Sequence, residues 1–232
     1  MSDPRLAEMI SKMAHELRSP LTSVKGFSSM LIKRWDRFTD EQRFQFVETI
    51  HHDAERMSRI VSEVLDLARL ESGRLELHKA NHELGPIVER ASHNVAMLPG
   101  AARIASSVPE GLIVEADAER LESVLTNLLE NAVKFSDDGP ISLEASASGA
   151  LVEIKVIDRG VGVESGREDE IFQGPQPTRA DAAMPTGGGL GLYLARGVLE
   201  AHGGSISLEA DEDANGSKGA TFIVTLPGRG AA

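Results

Sequence analysis

The chain has 232 residues, 41% of them hydrophobic, with a formal net charge of −12 and no cysteine. That length carries one large domain or two small ones with a packed core. The missing cysteine excludes a disulfide scaffold, a thiolate zinc site and a cysteine nucleophile, and the acidic balance argues against nucleic acid or an anionic membrane as partner. No apolar run reaches the roughly 18 residues of a membrane span, and no signal-peptide pattern opens the chain. A cytoplasmic chain without a membrane segment is expected.

Residues 1–73 read as helix only. Leu6, Ile10, Met13, Leu17, Pro20, Val24, Phe27 and Leu31 make one heptad seam, and Val47, Ile50, Ala54, Met57, Val61, Val64 and Ala68 make a second. Thr39 with Gln42 predicts a capping-box start for the second helix, and Gly73 predicts its stop. Trp35 and Phe38 are expected to pack the turn between them. A lone hairpin cannot cover both seams, whereas a homodimeric four-helix bundle would; periodicity taken alone favours a plain coiled-coil spacer. His15 stands roughly 200° around the helix from Met13 and Leu17 and so faces solvent, with Arg18, Ser19 and Thr22 on its face. Beside it is Glu16, a carboxylate that can fix the tautomer and leave the other ring nitrogen nucleophilic. Pro20 bends the helix one turn later.

Residues 74–232 change grammar. Strands are expected at 112–117, 141–148, 151–158, 205–210 and 220–227, and helices at 84–98, 118–136 and 190–204, with Asp117 as an N-cap. Strand neighbours such as 141–148 and 151–158 suggest a mixed, mostly antiparallel sheet with helices on one face. His202, near a helix C-terminus, is expected to be favoured there as a cation; His51 and His52 are expected to be solvated.

Three clusters look chemical. In TNLLENAVKF, Asn127 and Asn131 share a helix face with Lys134 following, so two amide oxygens can meet a hard cation and an ammonium a phosphate. In DRGVG, Asp158 can accept from an exocyclic amine, and Gly160 and Gly162 let backbone approach a flat ligand. In TGGGLGLYLAR, a glycine run opens a helix and leaves free N–H groups at a positive end, a phosphate site that is neither a P-loop nor a dinucleotide fingerprint. Taken singly, the first two are also what ordinary polar surface and a strand-ending turn look like.

Together and in order with His15, these clusters make the chain resemble a two-component sensor histidine kinase. MAHELRSPL looks like the phosphoacceptor box, TNLLENAVKF the N box, DRGVG the G1 box, DEIF the F box and GGGLGL the G2 box. The resemblance implies an α+β chain in two domains: a dimerisation and histidine-phosphotransfer hairpin over 1–73, forming a dimeric four-helix bundle, and an ATP-binding α/β sandwich of Bergerat type over 74–232.

The resemblance further implies that His15 attacks the γ-phosphoryl of ATP and that Glu16 orients the ring and takes its proton. Asn131, assisted by Asn127, would hold Mg²⁺; Lys134 would contact phosphate, and Phe135 and Phe172 would line the nucleotide site. Asp158 would read the adenine amine above Gly160 and Gly162. Gly187, Gly188, Gly189, Leu190, Gly191 and Leu192 would form the lid hinge and phosphate cradle. The phosphoryl group would pass to an aspartate on a response regulator receiver domain, in a homodimer joined through 1–73 that is the core of a longer or membrane-anchored sensor. Ser19 stands where threonine or asparagine supports dephosphorylation of the partner. Asn127, where gyrase-type and chaperone-type relatives carry glutamate, cannot activate water as a base. Two places depart from the pattern: Phe172 lacks the following aromatic, with Arg179 displaced, and Gly188 replaces a serine or threonine. Those departures motivate the alternative of a non-catalytic, nucleotide-binding dimeric scaffold.

Overall fold

The computed structural model describes residues 4–136, 139–163, 166–174, 190–212 and 218–230. Two long helices come first, α1 (Pro4–Arg34) and α2 (Asp40–Glu71), joined through a 3₁₀ turn at Trp35–Arg37. Thr39 fixes the start of α2: its hydroxyl accepts from the Gln42 N–H at 3.3 Å, and its own N–H donates to Gln42 Oε1 at 3.1 Å. Phe38 stands edge-on to Phe46, which stacks on Phe27. Trp35 does not join them; it is half exposed, with the Arg43 guanidinium 4.7 Å from its ring. Gly73 ends the hairpin at φ 64°, where its N–H donates to the Leu70 carbonyl at 3.0 Å.

The seam of α2 is displaced from the expected one. Ile60 and Leu67 are buried, while Val47 and Val61 are exposed. The inward stripe therefore runs Phe46, Ile50, Met57, Ile60, Val64, Leu67, and it shares only Ile50, Met57 and Val64 with the expected seam. On α1, Met13, Pro20 and Leu31 turn inward as expected, but Ile10 is half exposed. The cause is that both helices carry apolar residues over more than one stripe. The hairpin takes one and leaves Phe44, Val47, Val61 and Leu65 of α2, with Leu21, Met30 and Ile32 of α1, at the surface.

The rest of the chain builds a seven-stranded sheet under three helices. In chain order these are β1 (Ala80–Glu83), α3 (Leu84–Val95), β2 (Ile104–Ser107), β3 (Ile113–Ala116), α4 (Ala118–Phe135), β4 (Ile141–Ser148), β5 (Leu151–Asp158), α5 (Gly191–His202), β6 (Ser205–Glu212) and β7 (Lys218–Arg229). The strand order is β1-β3-β7-β5-β4-β2, with β6 also paired to β7. Only β2 and β4 run parallel; the other pairs are antiparallel. Alternation puts Ile141 and Leu143, Val152, Ile154 and Val156, and Val224 and Leu226 into one core. Leu121, Val124, Leu125, Leu128, Leu129, Ala132 and Val133 of α4 are buried in the same core. A fully buried Leu or Val contributes roughly 1.5–3 kcal/mol, so α4 is held firmly against the sheet. No described helix is long and apolar enough to cross a membrane.

The start of α4 is locked from α5. His202 is 2% exposed, and its Nε2 accepts from the Asp117 N–H at 2.9 Å. Nε2 is therefore the bare nitrogen, and the protonated Nδ1 donates to the Val198 carbonyl at 2.8 Å. Burial holds the His202 pKa below its ordinary value, with Lys79 adding to the effect and the Val198 bond and Asp117 opposing it. The expected helix-end cation is thus a buried neutral imidazole. Burial alone would raise the Asp117 carboxyl, but the His78 and Arg120 N–H donors outweigh it and hold the pKa low.

Candidate functional site

Helix α4 turns one side to the core and the other to a wall made with the turn after β5 and the start of α5. Asn127 and Asn131 lie on that second side, half-buried. Among the described residues Asn127 Nδ2 is buried without a hydrogen-bond partner, a state that costs about 1–3 kcal/mol unless a partner is supplied. A Cβ on Gly191 would stand 2.1 Å from Asn127 Oδ1, so glycine is what lets the first turn of α5 close on this amide. Lys134 Nζ sits 4.9 Å from the centre of the Phe135 ring, which is itself half exposed.

The turn after β5 is pressed against the last turn of α4. Asp158 is buried, and its Oδ1 accepts from the Gly160 N–H at 2.8 Å. Burial raises the Asp158 pKa, with that hydrogen bond opposing it. The Val161 N–H donates to the Phe135 carbonyl at 3.2 Å, and Ser136 bridges Gly160 in antiparallel fashion. A Cβ on Gly160 would fall 2.1 Å from the Phe135 carbonyl oxygen. Gly162 follows at φ 63°, in the left-handed region that favours glycine. Asn127, Asn131, Lys134, Phe135, Asp158, Gly160, Gly162 and Gly191 thus share one wall.

Other expected contacts are placed differently. Phe172 is 2% exposed, edge-on to Phe222 at 6.3 Å and near the Arg196 guanidinium; it anchors its segment in the core and offers no ring to a ligand. Leu190 is fully buried with Met9, Met13, Ile60, Leu67 and Leu194, so it serves the contact with the hairpin. Leu192 packs against the domain core. Gly187, Gly188, Gly189 and Arg179 lie outside the described residues.

On the hairpin, His15 is exposed with Arg18, Ser19 and Thr22, as the helical spacing requires, while Glu16 is half-buried. The hairpin meets the second half along a stripe of α2 that the sequence reading did not single out. Arg59 pairs with Glu130 of α4, Asp66 with Arg120 of α4, and Glu71 with the Tyr193 hydroxyl of α5. Leu70 fills the space over Gly197, where a Cβ would come within 2.3 Å of its Cδ2. Glu63 sits between the two ion pairs on this stripe, and its pKa is pushed up to about 7. Burial is the first cause, followed by repulsion from Glu16, Glu130 and Asp66, with Arg59 opposing. Carboxylates of α1, α2 and α4 therefore gather at one junction, next in sequence to His15 on one side and Asn131 on the other. Arg59, Glu63, Asp66 and Leu70 recur at helical spacing, which was the available signal; a charged stripe reads as solvated helix until its partner is known.

Two family models match the chain. The His Kinase A (phospho-acceptor) domain matches residues 5–73, and the ATPase domain of histidine kinase, DNA gyrase B and HSP90 type matches residues 116–230. The circadian input-output histidine kinase CikA of Synechococcus elongatus is 32% identical over 95% of this chain and 30% of its own length. The sensor histidine kinase ZraS of Escherichia coli K12 is 34% identical over 96% of this chain and 45% of its own. The chain thus spans less than half the length of these relatives. Among solved structures, full-length ShkA in complex with AMPPNP aligns with TM-score 0.66 at 28% identity, covering 97% of this chain and 46% of that one. Histidine kinase ThkA in complex with response regulator protein TrrA aligns with TM-score 0.62 at 25% identity, covering 96% of this chain and 61% of that one.

Proposed function

The chain belongs to the two-component sensor histidine kinases, whose catalytic core it carries, and on that premise we propose that it phosphorylates His15 with ATP and passes the phosphoryl group to an aspartate of a response regulator receiver domain. The observation that carries the reading is one chain holding both halves of the chemistry. An exposed histidine stands beside a carboxylate on α1, and the wall on α4, β5 and α5 has a buried amide nitrogen without a partner among the described residues. ShkA was solved with AMPPNP and ThkA with a response regulator, which supports both ligands here.

Residues 1–73 act as the dimerisation and phosphotransfer unit and 74–232 as the ATP-binding unit. The stripe of Phe44, Val47, Val61 and Leu65, exposed in the single chain, is what a second copy covers in a four-helix bundle. Asp158 accepts from the adenine amine, with Gly160 and Gly162 leaving room for the ring. Lys134 and the backbone N–H groups at the start of α5 meet phosphate. Asn131, with Asn127 beside it, would hold a magnesium ion through its amide oxygen, and when bound that ion would neutralise charge on the phosphates. His15 attacks the γ-phosphorus through the ring nitrogen that Glu16 leaves bare, the bond to the β-bridging oxygen breaks, ADP departs and Glu16 takes the imidazole proton. The phosphoryl group then moves from His15 to the receiver carboxylate. Ser19, one turn beyond His15, faces the same incoming partner.

Asn131→Ala is expected to lower the rate of autophosphorylation about a hundredfold or more. Raising Mg²⁺ recovers only part of it, while Asn94→Ala, on α3, leaves the rate unchanged. An Asn131→Ala protein that labels at the wild-type rate would remove this residue from the metal site and unseat the reading of α4.

A further inference from the structure

Arg103 lies outside the motifs, between α3 and β2, yet its guanidinium grips the chain where it leaves α4. Its Nη1 donates to Ser136 Oγ at 3.1 Å and to the Gly139 carbonyl at 2.7 Å, its Nη2 donates to the Ser136 carbonyl at 3.2 Å, and its Nε donates to the Gly100 carbonyl at 3.2 Å. Ser136 is buried at the end of α4. It is also the residue that bridges Gly160, directly after Phe135, whose carbonyl holds the Val161 N–H. From the other side, a Cβ on Gly139 would meet Arg159 Cβ at 2.9 Å. One side chain therefore ties together the segment on which the Asp158–Val161 turn rests, and it does so with a planar fork that a single-point donor cannot reproduce.

We infer that Arg103 is a positioning residue for base recognition: by holding Ser136 and Gly139 it sets the Asp158 carboxylate in register with α4, and so sets the preference for adenine over guanine. The inference rests on the nucleotide reading above. Asp158 accepts from the 6-amino group of adenine, whereas guanine presents a carbonyl oxygen there and is repelled. That discrimination depends on the carboxylate standing within a fraction of an ångström of its place. Arg103 acts through Ser136 and Gly139, and among the described residues the turn is hydrogen-bonded to the end of α4 through the Ser136–Gly160 bridge and the Val161 N–H.

The test compares wild type, Arg103→Gln, Arg103→Lys and Ser136→Ala as the whole chain, measuring autophosphorylation with ATP and with GTP and fluorescent-ATP binding. Arg103→Gln is expected to raise KM for ATP about tenfold, with kcat at saturation within about twofold, and to narrow the ATP-over-GTP preference by a similar factor. Arg103→Lys recovers part of the preference, since an ammonium can still reach one carbonyl. Ser136→Ala, a milder change that removes one acceptor, shifts KM and preference in the same direction by less. A staple with no part in recognition predicts otherwise: less active protein and a lower melting temperature, with KM and nucleotide preference unmoved in the folded fraction. That outcome overturns the inference. If wild type itself binds neither nucleotide, the nucleotide reading falls and the inference falls with it; ATP binding with an unaltered preference in Arg103→Gln sinks the inference alone.

Discussion

Gly160→Ala is expected to weaken ATP binding about a hundredfold and leave the hairpin intact. The added Cβ would lie 2.1 Å from the Phe135 carbonyl oxygen and 2.7 Å from its carbonyl carbon. Both are backbone atoms at the end of a helix buried along its other face, so they cannot swing aside as a side-chain tip would. Either the turn after β5 moves away from α4 or the last turn of α4 unwinds, and each displaces Asp158 from Asn131. Overpacking of this kind costs about 1–3 kcal/mol in a well-packed site. The same displacement should weaken ATP binding about a hundredfold, equivalent to roughly 2.8 kcal/mol. Calorimetric titration with ATP measures it, and circular dichroism checks that the helices remain. Gly85→Ala is the control: nothing lies within 4 Å of a Cβ there, and the residue is in α3, so alanine should bind ATP normally and be slightly more stable. Equal affinity in Gly160→Ala would show that the turn after β5 does not touch the nucleotide.

Glu63→Gln is expected to strengthen the contact between hairpin and nucleotide domain at neutral and alkaline pH. A Glu63 pKa raised from 4.5 to about 7 means that the docked arrangement prefers the protonated carboxyl. A group whose pKa rises on docking stabilises the contact most fully below its undocked pKa. That stabilisation is lost as pH climbs from 4.5 through about 7, for a total of at most about 3 kcal/mol, since Glu16, Asp66 and Arg59 belong to the hairpin and act on Glu63 whether docked or not. The Arg59–Glu130 and Asp66–Arg120 pairs around it are partly exposed and supply about 0.2–1 kcal/mol each, so the Glu63 proton is the larger influence. Hydrogen exchange in α2 and α5, followed from pH 6 to pH 8.5, should show wild-type protection falling at least about tenfold more than protection in Glu63→Gln. Matching profiles would mean that Glu63 stays charged in the docked state and the junction tolerates it.

These two sites also mark where the sequence was legible and where it was not. The motif-bearing half of α4, the β4–β5 pair, the Thr39 cap and the exposure of His15 follow from local rules, because periodicity, capping and turn chemistry act over a few residues. β1 and β2 escaped the strand reading because ANHE and IASS are four residues long with no clear alternation; partners far along the chain, β3 and β4, hold them. The α2 seam was displaced because two apolar stripes overlap at Ile50, Met57 and Val64, and only the partner helix chooses between them. Leu190 and Phe172 sit inside family motifs yet face packing partners, since a motif marks a stretch of chain and leaves the direction of each side chain to tertiary contacts. Arg103 and Gly197 owe their roles to residues tens of positions away, which no local pattern can report, and the helical spacing that includes Glu63 does not name its partner.

Transfer of the γ-phosphoryl group of ATP onto His15 is the step on which the proposed function stands. Incubating wild type and His15→Gln with γ-³²P-ATP and Mg²⁺, then treating the labelled chain with acid and with base, tests it most directly. Wild type is expected to carry label that is lost in acid and survives base, with none on His15→Gln, although that variant still binds ATP. Label of equal intensity on His15→Gln, or no label on a wild-type chain that binds ATP, would contradict it.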